Sequence, residues 1–306
     1  MFKKYYIIFI VLVFVVLVAL LALTRQPAPP AEGKISVAAS FYPVYHFSQA
    51  IGGDRAEVVN LTPYGAEPHD YEPTPRDIAR VENSRLLVLN GGGLEAWASD
   101  IKQNIDPQKT LVVTAGEGLG DRQSTEGGQP AIDPHFWLSP PLAKLMADKI
   151  ADGFSQIDPA NQDYYRSNAQ ALKDKLDALD QVYRQGLSAC AQKSIITSHA
   201  AFGYLAAAYG LSQVPIAGLS PEAEPSPRQL ADIAAFAADN GVKYIFFESL
   251  ASPKLSQAIA AEVGAQTLVL NPLEGLSREE LSQGEDYFTV MRKNLINLCL
   301  ALQCSD

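Results

Sequence analysis

Histidine is scarce in this chain of 306 residues: there are four, His46, His69, His135 and His199. Three of them stand in short turn-rich contexts, Gly65-Ala66-Glu67-Pro68-His69-Asp70, Asp133-Pro134-His135-Phe136-Trp137 and Thr197-Ser198-His199-Ala200. A carboxylate, Glu274, follows in Asn271-Pro272-Leu273-Glu274-Gly275. The intervals between them are similar, 66, 64 and 75 residues. Separate βα units that each send one donor to a common point would leave this spacing. Three imidazoles and a carboxylate together suit a tetrahedral zinc ion. Taken singly, each is an ordinary polar loop residue, so the residues alone leave both a shared site and loop decoration open. His46 falls inside the apolar helical pattern Tyr42–Ile51 and reads as a structural histidine.

The elements that would position these residues alternate. Short apolar runs at Ile35–Ser40, Glu57–Leu61, Leu86–Leu89 and Thr110–Val113 read as strands, with helical patterns at Tyr42–Ile51, after Thr74-Pro75, and at Leu94–Ile101. Gly116–Pro130 reads as a polar loop, and Pro140 to about Phe154 as a helix. A charged stretch from Asp158 to about Gln185 carries apolar residues at helical spacing. A helix of that length is about 40 Å long, a strut between lobes. Strands at Ser194–Thr197, Val214–Ala217, Val242–Phe247 and Thr267–Leu270 follow. They alternate with helices at Ala200–Tyr209, Ser226–Asn240 and Lys254–Val263, and a closing helix spans Asp286–Leu302. The expected fold class is α/β: two lobes with mainly parallel sheets, residues 34–157 and 189–306, joined by a long rigid backbone helix over 158–188. The site is expected in the interlobe cleft, because open α/β sheets bind ligands at the carboxyl ends of their strands.

The formal net charge is −10. Residues 1–33 hold three cations (Lys3, Lys4, Arg25) against Glu32, so the remainder is more acidic still. Such a body is a poor partner for nucleic acid, which requires a basic face. Lys3 and Lys4 precede an uncharged apolar run, Tyr5 to about Thr24, long enough to span a bilayer. Residues 1–24 are therefore expected to be a membrane anchor or a cleaved signal, residues 25–33 a Pro-rich linker, and the rest extracytoplasmic. Outside the cytoplasm two of the three cysteines, Cys190, Cys299 and Cys304, can pair. A Cys190–Cys304 bridge would tie down the closing helix, although the sequence does not settle the pairing. The run Gly91-Gly92-Gly93 reads as a tight turn, without the spacing or lysine of a phosphate loop.

These motifs, together with Phe41-Tyr42-Pro43, Tyr71-Glu72-Pro73, Phe202-Gly203-Tyr204 and Gly218-Leu219-Ser220-Pro221-Glu222-Ala223-Glu224-Pro225-Ser226, resemble the metal solute-binding proteins of ABC importers (cluster A-I, TroA-like). The resemblance runs from about Ile35 to the C-terminus. It implies metal ligation by His69 and His135. At the third position, His199 resembles the zinc-type members, where manganese-type ones often have Glu. Many relatives place Asp where this chain has Asn271, a poor ligand. The most similar zinc members use a Glu three residues later, which here is Glu274, with water as the fallback. The resemblance further implies a bound Zn2+ carried as cargo, an ABC permease and its ATPase subunit as partners, a monomer, and no catalysis. Asp70, Asp133 and Glu248 would offset the site charge from outside the ligand set. Two departures stand out: no histidine occurs in Gly116–Pro130, and no lipoprotein-type cysteine follows the apolar run. A Mn2+ receptor, a surface adhesin and a zinc hydrolase with Glu274 as general base are the rival readings.

Overall fold

The computed structural model describes residues 33–126 and 129–305. Two parallel four-stranded sheets carry the architecture. In the first, β1 (Ile35–Ala39), β2 (Ala56–Asn60), β3 (Leu86–Leu89) and β4 (Leu111–Thr114) lie in the order β2-β1-β3-β4. The second is formed by β7 (Ser194–Thr197), β8 (Ser212–Pro215), β9 (Tyr244–Phe247) and β10 (Gln266–Val269), in the order β10-β9-β7-β8. Leu86–Leu89 is fully buried, as a strand covered on both faces must be.

Helices α1 (Tyr42–Gly52), α2 (Pro75–Glu82) and α3 (Ala98–Asn104) serve the first sheet, and α4 (Pro140–Ile157) packs beneath it. Then comes the connecting helix α5 (Gln162–Gly186). Tyr165, Ala169, Leu172, Leu176, Leu179 and Tyr183 recur on one face of it and are buried. That stripe packs against α4 and, through the Tyr183 hydroxyl donating to the Met291 carbonyl at 2.7 Å, against the closing helix. In the second lobe α6 (Gly203–Ala208), α7 (Pro227–Asp239), α8 (Lys254–Val263), α9 (Arg278–Ser282) and α10 (Tyr287–Ala301) complete the chain. One hydrophobic core runs through both sheets, from Val37, Phe47 and Phe154 through Leu172 and Tyr183 to Leu205, Phe246 and Leu298. Residues Ile35–Asp306 accordingly form one compact unit. A shared core of this kind opposes wide hinge opening.

Several expectations shift on contact with the structure. Gly116–Pro130 is not all loop: β5 (Gln123–Glu126) pairs antiparallel with β6 (Gln129–Ile132). Gln-Ser-Thr-Glu lacks the apolar alternation that marks a strand, so the hairpin arises from pairing that the sequence does not advertise. The helix expected from Leu94 starts at Ala98, because the Glu95 carboxylate turns back to accept the N–H groups of Asn90 and Gly91 at 2.6 and 3.0 Å. The linking segment opens with a 3-10 turn at Pro159–Asn161 before the α-helix begins. The short α9, capped by Ser277, goes unread in the sequence. Thr74 and Ser226 cap α2 and α7 through reciprocal capping boxes, each with Pro at the first helical position. Cys190 and Cys304 are joined by a disulfide. The expected anchor or signal, residues 1–24, lies outside the described residues, as does all of the 25–33 linker except Gly33. Among the described residues no helix is long and apolar enough to cross a membrane.

Candidate metal centre

His69, His135, His199 and Glu274 meet. His69, His199 and Glu274 lie beyond the carboxyl ends of β2, β7 and β10, and His135 follows the hairpin strand β6. His69 sits in the loop after β2, between buried Pro68 and the turn that leads to α2. His199 directly follows β7, its carbonyl accepting from the Thr197 hydroxyl at 2.8 Å and from the Gln213 amide at 2.9 Å. His135 leaves the hairpin and opens a short 3-10 turn, Phe136–Leu138. The Asn90 side-chain amide holds the neighbouring Pro134 carbonyl at 2.8 Å. Gly92 (φ +70°) is needed there, since a Cβ on it would lie 2.9 Å from the Pro134 Cα.

Glu274 is delivered by a strained loop. The preceding Leu273 is a buried non-glycine residue with φ 58°, an unfavourable conformation for a branched side chain. Asn271 stabilises it: its side-chain oxygen accepts the Leu273 N–H at 2.7 Å, while its amide donates to Ser249 and Glu280 at 2.8 and 2.7 Å. The side chain at 271 is thus consumed in building the loop that carries Glu274. Hydrogen bonds across the lobes meet at the site, among them one from the Tyr287 hydroxyl to the Trp137 carbonyl. The Trp137 indole N–H donates to the Pro272 carbonyl at 2.7 Å, and the Gly65 N–H to the Leu276 carbonyl at 3.1 Å.

The three Nε2 atoms and Glu274 Oε1 face one another. Glu274 Oε1 lies 3.3, 3.2 and 3.1 Å from the Nε2 atoms of His69, His135 and His199, and His135 Nε2 lies 3.4 and 3.3 Å from those of His69 and His199. A tetrahedron with metal–donor arms of about 2.0–2.1 Å has edges of about 3.3 Å. Five of the six separations therefore match a zinc tetrahedron. The outer imidazole nitrogens set the tautomers. His135 Nδ1 lies 2.8 Å from Asp133 Oδ1 and His199 Nδ1 2.7 Å from Glu248 Oε1, so a neutral ring at either position turns the Nε2 lone pair inward. Lone pairs and a carboxylate converging in a buried space suit a cation, and Glu274 Oε2 is buried without a hydrogen-bond partner.

Electrostatics point the same way. Burial disfavours charge on His199, but the carboxylates of Glu248 and Glu274 outweigh it and lift the imidazole well above its usual range. His135 is likewise raised, burial being overcome by Asp133 and Glu274. Burial would raise Glu274, yet the charge of His199 and the hydrogen bonds from the three histidines hold it well below the usual carboxylate range.

Of the acids expected to offset the site charge, Asp133 and Glu248 contact His135 and His199, whereas Asp70 is exposed and lines an outer cavity of about 550 Å3 beside His69, Tyr71 and Trp97. The fourth nearby acid, unread in the sequence, is Glu67. Its Oε1 accepts the His69 N–H at 3.3 Å and its Oε2 is buried without a partner. Burial, then the charge of Glu274, push it up to about 9. Its place two residues before His69 was the only available signal. His46 stacks on Tyr287, at 5.9 Å between ring centroids, away from the site as the apolar pattern implied. His135 and His199 are fully buried and Glu274 nearly so, while His69 keeps 9% side-chain exposure. His69 is thus the most exposed of the four.

Two parallel α/β lobes on a shared core, a connecting helix and a buried cluster of four potential metal donors define a two-lobed α/β architecture with a candidate metal centre. The chain belongs to the ZnuA family, described as zinc-uptake complex component A, periplasmic, whose model matches residues 37–300. It is 39% identical over 290 residues to zinc-binding protein AdcA of Streptococcus pyogenes serotype M18, covering 88% of this chain and 56% of that protein. The chain thus spans about half the length of the AdcA relatives. To the high-affinity zinc uptake system protein ZnuA of Bacillus subtilis it is 39% identical over 308 residues, covering 96% of this chain and 97% of the relative. The solved Zn(II)-bound ZnuA-like domain of Streptococcus pneumoniae AdcA superposes with a TM-score of 0.77 at 40% identity, covering 88% of this chain and 99% of that one. The laminin-binding protein Lmb of Streptococcus agalactiae, described as bifunctional with adhesin and metal transporting activity, superposes with a TM-score of 0.79 at 37% identity, with 88% and 99% covered.

Proposed function

We propose that this protein captures Zn2+ outside the cytoplasm through His69, His135, His199 and Glu274 and delivers it to an ABC permease with its ATPase subunit. The observation that carries this reading is the set of donor separations near 3.3 Å, with two of the three imidazoles aimed by carboxylates. Three imidazoles favour zinc over the harder Mn2+. Four protein donors close the shell, which suits holding an ion and leaves no position for the activated water of a hydrolase. The ion enters beside His69, displaces protons from His135 and His199 and is held by Glu274. The two lobes, residues 34–157 and 189–306 about the 158–188 connector, move little because their core is continuous. The protein works as a monomer, tethered or exported by residues 1–24. Its acidic charge keeps it from nucleic acid.

Competition calorimetry with Zn2+ and Mn2+ tests this. Zn2+ is expected to bind one ion per chain and to displace Mn2+. His199→Ala is expected to abolish tight binding, and Glu274→Ala to weaken it more than loss of a residue that only orients a ligand. Failure of the purified protein to bind zinc, or an unchanged affinity in His199→Ala, overturns the reading. The likeness to Lmb supports a second role in adhesion, for which immobilised laminin is the direct assay.

A further inference from the structure

The two fully buried histidines are supported in the same way, with one difference. Asp133 Oδ1 takes both the His135 backbone N–H, at 3.0 Å, and its Nδ1, at 2.8 Å; Glu248 Oε1 does the same for His199, at 3.2 and 2.7 Å. The remaining oxygen of Glu248 is buried without a hydrogen-bond partner. The remaining oxygen of Asp133 instead faces the Arg122 Nε at 3.7 Å. Among the described residues, the other ion pairs of Asp133, Glu248 and Glu274 are all with histidines.

The surroundings of Arg122 are shaped for it. Its guanidinium lies 5.8 Å from the centre of the Tyr204 ring in the opposite lobe. A Cβ on Gly203 would come within 2.6 Å of Asp133 Oδ2 and 2.7 Å of Arg122 Nε, so glycine there leaves room for the pair. A cavity of about 470 Å3, lined by Arg122, Asp133, Gly203 and Gln213 among others, keeps the arginine reachable from solvent.

We propose that Arg122 is a positioning residue that weakens zinc binding, by drawing on the Asp133 carboxylate that supports His135, and so makes the ion releasable. A carboxylate on the outer nitrogen of a metal-bound imidazole makes that imidazole a stronger donor. A cation on the far oxygen of the same carboxylate withdraws part of that support and also repels the incoming ion. Arg122 is 45% exposed, so the effect is screened and moderate. This inference rests on the zinc reading above.

The test compares the full-length protein with Arg122→Gln, Arg122→Met and Arg122→Lys. Affinity is read by competition with a zinc chelator, and the release rate by stopped flow, each at low and high salt. Arg122→Gln is expected to bind zinc roughly three- to tenfold tighter and to release it correspondingly slower, a gap that narrows with salt. Arg122→Met keeps an unbranched side chain without the charge and is expected to match it; Arg122→Lys is expected to stay near wild type. Equal or weaker binding in both neutral variants overturns the inference, because that is what a merely structural anchor of the hairpin produces. If the wild-type protein itself holds no zinc, the zinc reading fails instead.

Discussion

Glu248 Oε1 lies 2.7 Å from His199 Nδ1 and also accepts the backbone N–H of the same residue at 3.2 Å. One oxygen thereby fixes both the ring and the chain at the end of β7. Glu248 follows β9, the strand beside β7 in the sheet, so neighbouring strands supply the ligand and its orienting partner. Glu248→Ala is expected to keep the fold and the metal specificity while lowering zinc affinity roughly 10–100-fold. Chelator competition checks the affinity and circular dichroism the fold.

Zinc should displace protons on binding. The raised His135 and His199 contribute stability to the metal-free protein that is fully present below their ordinary value of 6.5 and is lost as pH rises through their higher folded values. Glu274, depressed in the fold, contributes stability present above its ordinary 4.5 and lost as pH falls through its folded value. The metal-free centre is therefore best satisfied at mildly acid pH. Zinc needs neutral imidazoles, so its hold weakens as pH falls. The Tm difference between zinc-loaded and metal-free protein is expected to widen from pH 5 to pH 8. A calorimetric enthalpy that varies with the buffer's ionisation enthalpy would register the released protons.

Glu67 behaves in the opposite sense to Glu274. Its carboxyl, pushed up to about 9 by burial and then by the charge of Glu274, detracts from stability as pH rises from 4.5 towards that value. Glu67→Gln keeps an oxygen for the His69 N–H and removes the charge. The metal-free variant is expected to melt higher than wild type at pH 8, with the gap closing near pH 4. Thermal melts at the two pH values decide it.

Asn271→Asp should not create a better site. The side chain already bonds Leu273, Ser249 and Glu280, and an aspartate would place its charge against the Glu280 carboxylate. We expect a loss of about 2 kcal/mol in stability and a smaller fall in zinc affinity than Glu274→Ala causes. Denaturant melts and zinc calorimetry of the two variants, side by side, provide the comparison.

The Cys190–Cys304 bridge closes a long loop, with a sequence separation of 114. Replacing both cysteines with serine is expected to cost roughly 2–5 kcal/mol, while leaving the zinc affinity of the folded protein nearly unchanged, since the bridge ties chain segments outside the ligand set. Urea unfolding with and without reductant measures the loss.

The order of strands and helices was legible because it depends on local rules. Leu86–Leu89 is continuously apolar, Thr74-Pro75 and Ser226-Pro227 announce helix starts, and glycine runs stop the chain. The spacing of the scarce histidines was compatible with a shared centre, and the resemblance to metal solute-binding proteins singled out the four residues. The hairpin Gln123–Glu126 with Gln129–Ile132 stayed hidden, because its strands lack apolar alternation. What only the tertiary structure decided is the environment of the donors. Glu248 reaches His199 across 49 residues of sequence, Trp137 reaches Pro272 across 135, and Arg122 meets Gly203 and Tyr204 of the other lobe. Residue types and order placed His69, His199 and Glu274 beyond strand ends, while His135 follows a hairpin that the sequence does not show. Their separations, their tautomers and the charges behind them depend on distances and dielectric, which exist only once the two sheets close on one core.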